Sequence, residues 1–241
     1  METSKNHLLA TLALPDLAPL ARHFKRVGLD HGAILQEQEV PVEWVYFPLS
    51  GVVSLLSVMQ SGEAVESAVV GREGAIGLFA DFGPWHACAR AIVQAPGVAE
   101  SIALPQLRTI ASQSEPIRRL MLRYKETLSA QTQQTAACNA LHSVEQRMAR
   151  WLLQMADRLD DHALPITQDT LSQMLGVRRT TVTLVAQKLQ HDGVIRYRRG
   201  RIELANRSAL QTLACECYQT CHRRLDALFS EAAPLKAPAH A

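Results

Sequence analysis

Two patterns of apolar residues divide the chain. Between Asp30 and Leu104, short runs rich in β-branched and aliphatic residues alternate with glycines, as in WVYFPLSGVVSLLSVM from Trp44. After Pro105 no glycine occurs until Gly176, and apolar residues recur at spacings of three and four. The first pattern is typical of antiparallel strands and the second of helices. We therefore predict an α+β chain of two domains, with an N-terminal antiparallel jelly-roll β-barrel.

Smaller signals place turns and an N-terminal helix. FPLSG predicts a tight corner at Gly51, and MQSGEAV predicts a hairpin turn at Gly62, because glycine adopts turn conformations without a steric penalty. The run from Leu8 to Leu20 keeps a helical spacing and predicts a packed N-terminal helix.

A long helix is predicted to follow the barrel. Ile117, Met121, Tyr124 and Leu128 recur at alternating four and three, and the register continues through Gln131, Thr135, Cys138 and His142. An apolar stripe on a long helix favours a dimer contact. The alternative is that the stripe packs on the chain's own barrel.

These patterns give domain boundaries. Ser143 with Gln146 three residues later matches a capping box and marks the start of another helix. The Ala- and Pro-rich end has nothing to bury. We predict an N-terminal domain at 1–112, a dimerisation helix at 113–142, a C-terminal domain at 143–230 and a disordered tail at 231–241.

The segment from Thr167 predicts a helix-turn-helix. Thr167 is placed to cap a helix QDTLSQML, Gly176-Val177 forms a turn, and a second helix runs from Arg179 to Gln190. Val182, Val185, Ala186 and Leu189 share its packing side. Its outward face carries no carboxylate and consists of Arg179, Thr180, Thr183, Leu184 and Gln187.

The next segment predicts a basic hairpin. HDGVIRYRRGRIEL reads as two short strands around Arg199-Gly200. From Pro165 to Ala205 there are seven Lys or Arg against three acids, although the whole chain is only +2. A helix-turn-helix alone also fits an ordinary solvated helix pair, but a basic hairpin after it indicates a wing that grips DNA phosphates.

Arginine and threonine suit base edges, while basic and amide side chains suit phosphates. The predicted DNA-binding residues are Thr167, Gln168, Arg178, Arg179, Thr180, Thr181, Thr183, Leu184, Gln187, Lys188, Arg198, Arg199 and Arg201.

Four segments resemble, in order and spacing, those of the Crp/Fnr family of bacterial transcription regulators. They are VYFPLSGVVSLL, SGEAVESAVVGREGAIGLF, SVEQRMARWLL and the helix-turn-helix with its wing. The resemblance implies a β-roll sensor domain with a cyclic-nucleotide-binding-like fold. It also implies a homodimer that binds a palindromic promoter site in double-stranded DNA, and RNA polymerase as a candidate partner.

Arg179 matches the arginine with which the family reads guanine. Thr180 and Leu184 depart from the family's acid and second arginine, so a different half-site is expected.

The effector pocket departs from the family as well. Members that bind cyclic nucleotides carry a Gly-Glu pair for the ribose and an arginine followed by a hydroxyl residue for the phosphate. Here Leu78 follows Gly77, and Ala91 follows Arg90. Without the bidentate phosphate contact, cyclic AMP and GMP are not expected. A pocket for another effector is predicted to be bordered by Gly77, Leu78, Arg90, Thr132 and Gln133.

No cofactor or metal is predicted. No cysteine precedes Cys88, so the family's N-terminal iron–sulfur ligands are missing, and His86 is interpreted as an isolated surface histidine rather than a haem ligand. Cys215, Cys217 and Cys221 near His222 are interpreted as small apolar residues of a terminal helix, because a C-x-C pair on a helix points its thiols apart. Cys138 is interpreted as a dimer-interface residue.

The five cysteines form no disulfide framework, which favours a reducing compartment, and the cytoplasm is expected. No apolar run is long enough for a membrane span. No catalytic constellation is present, so an enzyme is not expected. The alternative function is a small-molecule sensor whose winged helix docks a protein.

Overall fold

The computed structural model describes residues 4–78, 86–159, 163–198 and 200–230. Its helices are α1 His7–Ala10, α2 Leu14–Ala21, α3 Leu104–Gln113, α4 Glu115–Leu141, α5 Val144–Leu159, α6 Gln168–Leu175, α7 Arg179–His191, α8 Arg207–Leu213 and α9 Cys217–Phe229. Its strands are β1 Lys25–Leu29, β2 Ile34–Gln36, β3 Trp44–Pro48, β4 Val52–Val58, β5 Ala64–Val70, β6 Arg90–Ala95, β7 Gly97–Ala103, β8 Ala163–Leu164, β9 Ile195–Arg198 and β10 Arg201–Leu204.

The N-terminal domain is built from two antiparallel sheets. One has the strand order β1-β7-β3 and the other β2-β6-β4-β5. Both predicted turns are present, since Gly51 has φ 82° and Gly62 has φ 86°. The α+β fold with a strand-rich N-terminal domain is confirmed.

The prediction of one N-terminal helix was wrong. Leu8, Leu9, Leu17 and Leu20 are buried as expected, but they belong to the two helices α1 and α2. Pro15 lies in the first turn of α2, where its missing N–H is harmless. A helix continuing through Pro15 would bring the proline ring against the carbonyl of the preceding turn. The chain therefore begins a new helix, α2, at Leu14, directly before Pro15.

The apolar stripe of α4 packs on the chain's own N-terminal domain. Ile117, Met121, Tyr124 and Leu128 are buried in the same core cluster as the strands. The Tyr124 hydroxyl donates a hydrogen bond to the Ala75 carbonyl at 2.9 Å. The prediction that this stripe is the dimer contact was therefore wrong, and the alternative of packing on the barrel holds.

The C-terminal domain extends from α5 to α9 and packs on the N-terminal domain. The capping box at its start is confirmed, because the Ser143 N–H donates to Gln146 Oε1 at 3.0 Å and the Gln146 N–H donates to Ser143 Oγ at 3.3 Å. Val52 and Leu56 of β4 share a core cluster with Trp151 of α5 and Met174 of α6. None of the helices in the described ranges is both long and apolar enough to cross a membrane.

Candidate nucleic-acid interface

Helices α6 and α7 form the predicted helix-turn-helix. Thr167 Oγ1 accepts a hydrogen bond from the Thr170 N–H at 3.1 Å and so caps α6. Gly176 ends α6 in the left-handed conformation, with φ 60° and ψ 42°. The buried sides of the two helices meet through Leu171, Met174, Leu175, Val182, Ala186 and Leu189.

The turn also touches the N-terminal domain. A Cβ atom added to Gly176 would lie 3.0 Å from Val65 Cγ2 on β5. A residue other than glycine at this position would be strained by its positive φ and crowded by Val65. The turn therefore fixes the helix-turn-helix against the hairpin of β4 and β5.

The outward face of α7 is exposed and free of acids. Arg179, Thr180, Gln187 and Lys188 are exposed, and Leu184 is 68% exposed. No Asp or Glu occurs between Arg179 and His191. Thr183 is half-buried, as is Thr181. A solvated apolar side chain among hydrogen-bonding groups suits a major groove, where thymine presents a methyl group.

Several predicted DNA-binding residues already have partners. Arg179 Nη1 lies 3.1 Å from Asp169 Oδ1, and the Thr183 hydroxyl donates to Gln168 Oε1 at 2.8 Å. Lys188 Nζ donates to Glu145 Oε1 at 2.7 Å, and this carboxylate raises the pKa of Lys188. Both ends of the Arg179 pair are exposed, so exchanging it for a DNA contact costs little. The sequence interpretation missed these acidic partners, because both lie on other helices, Asp169 on α6 and Glu145 on α5.

Arg178 occupies the N-cap of α7 and makes no side-chain capping bond. It is exposed. Because an arginine side chain offers only donors, it cannot accept from the first N–H groups of the helix. The first turn of α7 therefore has no side-chain cap, and an anion would be stabilised at this positive end of the helix dipole.

The wing is the antiparallel hairpin of β9 and β10. Arg198 and Arg201 are directly paired across the strands, and both are exposed. Like charges at paired positions repel each other, and a bound anion would relieve that repulsion. Arg199 lies outside the described residues. β10 also pairs with β8, a strand that the sequence pattern did not reveal.

A cavity of about 440 Å³ lies between the N-terminal domain and α4. Gly77, Thr132 and Gln133 line it, and the binding of an effector there stays a prediction. Leu78 instead packs in the domain core, and Arg90 does not border the cavity in the described part of the chain.

Arg90 is held by an acid instead. Its Nε donates to both carboxylate oxygens of Glu37, at 2.9 and 3.0 Å. This bond lowers the pKa of Glu37. Arg90 would have to leave Glu37 before it could bind a phosphate, and the expectation that cyclic nucleotides do not bind stays a prediction.

The interpretation of the cysteines was wrong in two respects. Cys138 is fully buried within the single chain and contacts Cys215, so it does not lie at an exposed dimer surface. Cys215 precedes α9, whose first residue is Cys217, so the helical argument that separates the two thiols does not apply. His222 does not join them, because it pairs with Asp226 at 2.9 Å.

The described residues place a winged helix-turn-helix beside a double-sheet domain, with the long helix α4 between them. The Crp-like helix-turn-helix domain family matches residues 146–213. The chain thus carries a Crp-like helix-turn-helix DNA-binding domain, and the resemblance to Crp/Fnr regulators is confirmed.

Solved structures of such regulators share the fold. FixK2 from Bradyrhizobium japonicum is 18% identical, with a TM-score of 0.69 over 80% of this chain and 98% of its own. TTHA1359, a CRP/FNR family regulator from Thermus thermophilus, is 25% identical, with a TM-score of 0.67 over 79% and 98%. The c-di-GMP responsive regulator CLP from Xanthomonas campestris is 17% identical, with a TM-score of 0.68 over 80% and 100%. A search of curated proteins found no match. The chain therefore has the fold of a Crp/Fnr-type transcription regulator, and the likeness is to regulators rather than to enzymes.

Proposed function

We propose that the chain is a homodimeric transcription regulator that binds a palindromic DNA site. The observation that carries the proposal is the exposed, acid-free face of α7 beside a wing whose tip strands pair Arg198 with Arg201. Both surfaces are positive or hydrogen-bonding, and neither is needed to bury the core. A duplex offers base edges to the helix and phosphates to the wing.

The roles follow from exposure and chemistry. Arg179 is proposed to bond a guanine edge after leaving Asp169, with Thr180 and Thr183 at neighbouring bases and Leu184 against a thymine methyl. The phosphate contacts are assigned to Thr167, Gln168, Arg178, Thr181, Gln187, Lys188, Arg198, Arg199 and Arg201. The two half-sites are expected about one helical turn, roughly 34 Å, apart.

A second stripe of α4 supports the homodimer. Its members recur at alternating four and three and are all exposed: Leu122, Glu126, Ser129, Gln133, Ala136 and Ala140. This spacing is that of a coiled-coil contact, and the small side chains in it allow close approach of two helices. Ser129 and Gln133 also line the cavity, so a partner helix on this stripe would lie at its edge. Such a position would link an effector in the cavity to the dimer.

A paired substitution tests the assigned roles. Arg179→Ala is expected to weaken the specific site by about 1 to 3 kcal/mol and to relax selection at one base pair, because a bidentate base contact is lost. Arg201→Ala is expected to weaken specific and random duplexes alike and to reduce the salt dependence of binding, because a phosphate contact is lost. Gel-shift titrations over a salt series, after selection of a site from random DNA, measure both effects.

The control is Arg223→Ala, which removes an exposed charge from α9 outside the helix-turn-helix and wing. It is expected to leave binding unchanged. Equal effects of Arg179→Ala and Arg201→Ala on all sequences would contradict the division of roles. If no duplex is bound at low salt and Arg179→Ala instead abolishes capture of a protein partner, the protein-docking alternative replaces the proposal.

A further inference from the structure

Four potential metal ligands converge where α4 ends. Cys138 belongs to the last turns of α4, and His142 follows its end. Cys215 lies just before α9, and Cys217 is the first residue of α9. Their ligand atoms, three thiol sulfurs and one imidazole nitrogen, all lie within 4.8 Å of one another. The three cysteines are buried, and the His142 side chain is only 16% exposed.

The distances fit the edges of a tetrahedron around a zinc ion. Cys138 Sγ lies 3.5 Å from Cys215 Sγ, and Cys217 Sγ lies 3.5 Å from His142 Nδ1. With Zn–S bonds of about 2.3 Å and Zn–N bonds of about 2.0 Å, tetrahedral geometry puts ligand atoms about 3.5 to 3.8 Å apart. A disulfide would use only two of the four groups, and its sulfurs would be about 2.05 Å apart.

Neighbouring side chains make the hydrogen bonds that orient the ligands of a zinc site. His142 Nε2, the ring nitrogen that does not contact Cys217, lies 3.2 Å from Glu216 Oε1. A carboxylate on the second ring nitrogen fixes the tautomer of a zinc-bound histidine. Gln134 Nε2 donates to Cys217 Sγ at 3.1 Å, as expected for an amide that supports a thiolate.

The positive charges beside the cluster favour an anionic Cys138 thiolate. Arg147 and Arg150 are 7% and 4% exposed, and each lies close enough to Cys138 for their charges to interact. The Nε atoms of both guanidinium groups are buried without a hydrogen-bond partner in the described part of the chain. Buried cations require nearby negative charge. Three thiolates around one Zn²⁺ carry a net charge of −1 and would supply it.

We propose that Cys138, His142, Cys215 and Cys217 bind one Zn²⁺ ion in a closed structural site. The ion takes all four protein ligands and leaves no position for substrate, so it stabilises rather than catalyses. It joins the end of α4, which packs on the N-terminal domain, to α9 of the C-terminal domain. The site thereby fixes the junction between the two domains, and this role does not depend on the proposed DNA function.

The test uses the full-length chain in reducing buffer. Mass spectrometry for metals, after a wash with a weak chelator, is expected to find one zinc per chain. Replacement by Co²⁺ is expected to give the thiolate-to-metal charge-transfer bands and intense d–d bands of a tetrahedral thiolate site. A Co²⁺ spectrum without thiolate bands would overturn the proposal, and this measurement requires no variant to fold.

Variants locate the site. Cys138→Ser and Cys217→Ser are expected to lower zinc affinity by more than about ten-fold in chelator competition, and Glu216→Gln, at an exposed outer position, by about ten-fold. Cys88→Ser and Cys221→Ser are matched controls that should retain full binding, because neither thiol is in the cluster. Unchanged zinc content in Cys138→Ser and Cys217→Ser would refute the assignment. It would also be refuted by a chain isolated with a Cys138–Cys215 disulfide that takes up no zinc after reduction.

Discussion

Glu66 carries a carboxyl group buried at the contact between the two domains. It lies on β5, fully buried, and accepts hydrogen bonds from Ser54 Oγ at 2.5 Å and from Trp151 Nε1 at 2.8 Å. Burial raises its pKa to about 7, although these bonds and the charge of Arg150 act in the opposite direction. Trp151 belongs to α5, so this carboxyl group joins the two domains.

The raised pKa predicts a pH-dependent stability. The folded chain binds the Glu66 proton more tightly than the unfolded chain, whose pKa is near 4.5. The stabilisation of the folded chain by protonated Glu66 is therefore complete below pH 4.5 and is lost as the pH rises to about 7. Glu66→Gln cannot ionise, so its free energy of unfolding relative to wild type should rise by about 3 kcal/mol over that range. Urea titrations at several pH values measure the difference.

Glu63→Gln is the control, because Glu63 is an exposed acid on the turn before the same strand. The difference in free energy of unfolding between Glu63→Gln and wild type should stay constant over the same pH range. A constant difference for Glu66→Gln as well would show that the pKa of Glu66 is the same in the folded and unfolded chains, which would contradict the raised pKa.

At the scale of elements, α4 has two stripes with the same spacing. The stripe with Ile117 and Tyr124 is buried on the N-terminal domain, and the stripe with Ser129 and Ala136 is exposed. Periodicity predicted the helix and its apolar stripe. It did not decide whether that stripe packs on the chain's own N-terminal domain or on a second chain, because either contact would remove the same side chains from water.

The exposed stripe predicts how the dimer can be disrupted. Ala136→Arg introduces a long charged side chain where two helices would approach closely, and it should shift the chain towards monomer. Sedimentation velocity over a dilution series measures the shift. Ala227→Arg, at an exposed position of α9, is the matched control and should leave the assembly unchanged. A variant Ala136→Arg that associates like wild type would contradict the proposed contact.

At the scale of the whole molecule, the two domains share a core. Val52, Leu56, Val69 and Ala95 of the second sheet lie in the same buried cluster as the apolar residues of α5 and α6. Arg158 of α5 adds an ion pair across this contact, with its Nε 2.7 Å from Glu73 Oε1. Both side chains are only 10% exposed. A shared core of this kind favours unfolding as one unit.

Leu56→Ala tests that cooperativity. Leu56 is fully buried, so the substitution should lower the free energy of unfolding by about 2 to 5 kcal/mol. Because the core is shared, tryptophan fluorescence and circular dichroism should shift together in one urea transition. Met59→Ala, an exposed position just after β4, should change the stability little. Two separated transitions would show that the domains unfold independently.

The sequence by itself determined the elements of the DNA-binding domain. Thr167 at the cap, Gly176 in the turn and the basic residues of the wing act over a few neighbouring positions, so local spacing was sufficient to find them. Only the tertiary structure decided which side of α4 is buried, which acids hold Arg179 and Lys188, and that Cys138 meets Cys215. These contacts join residues of different helices, most of them far apart along the chain. No local pattern encodes them, because they depend on how separate helices pack against one another and on the N-terminal domain.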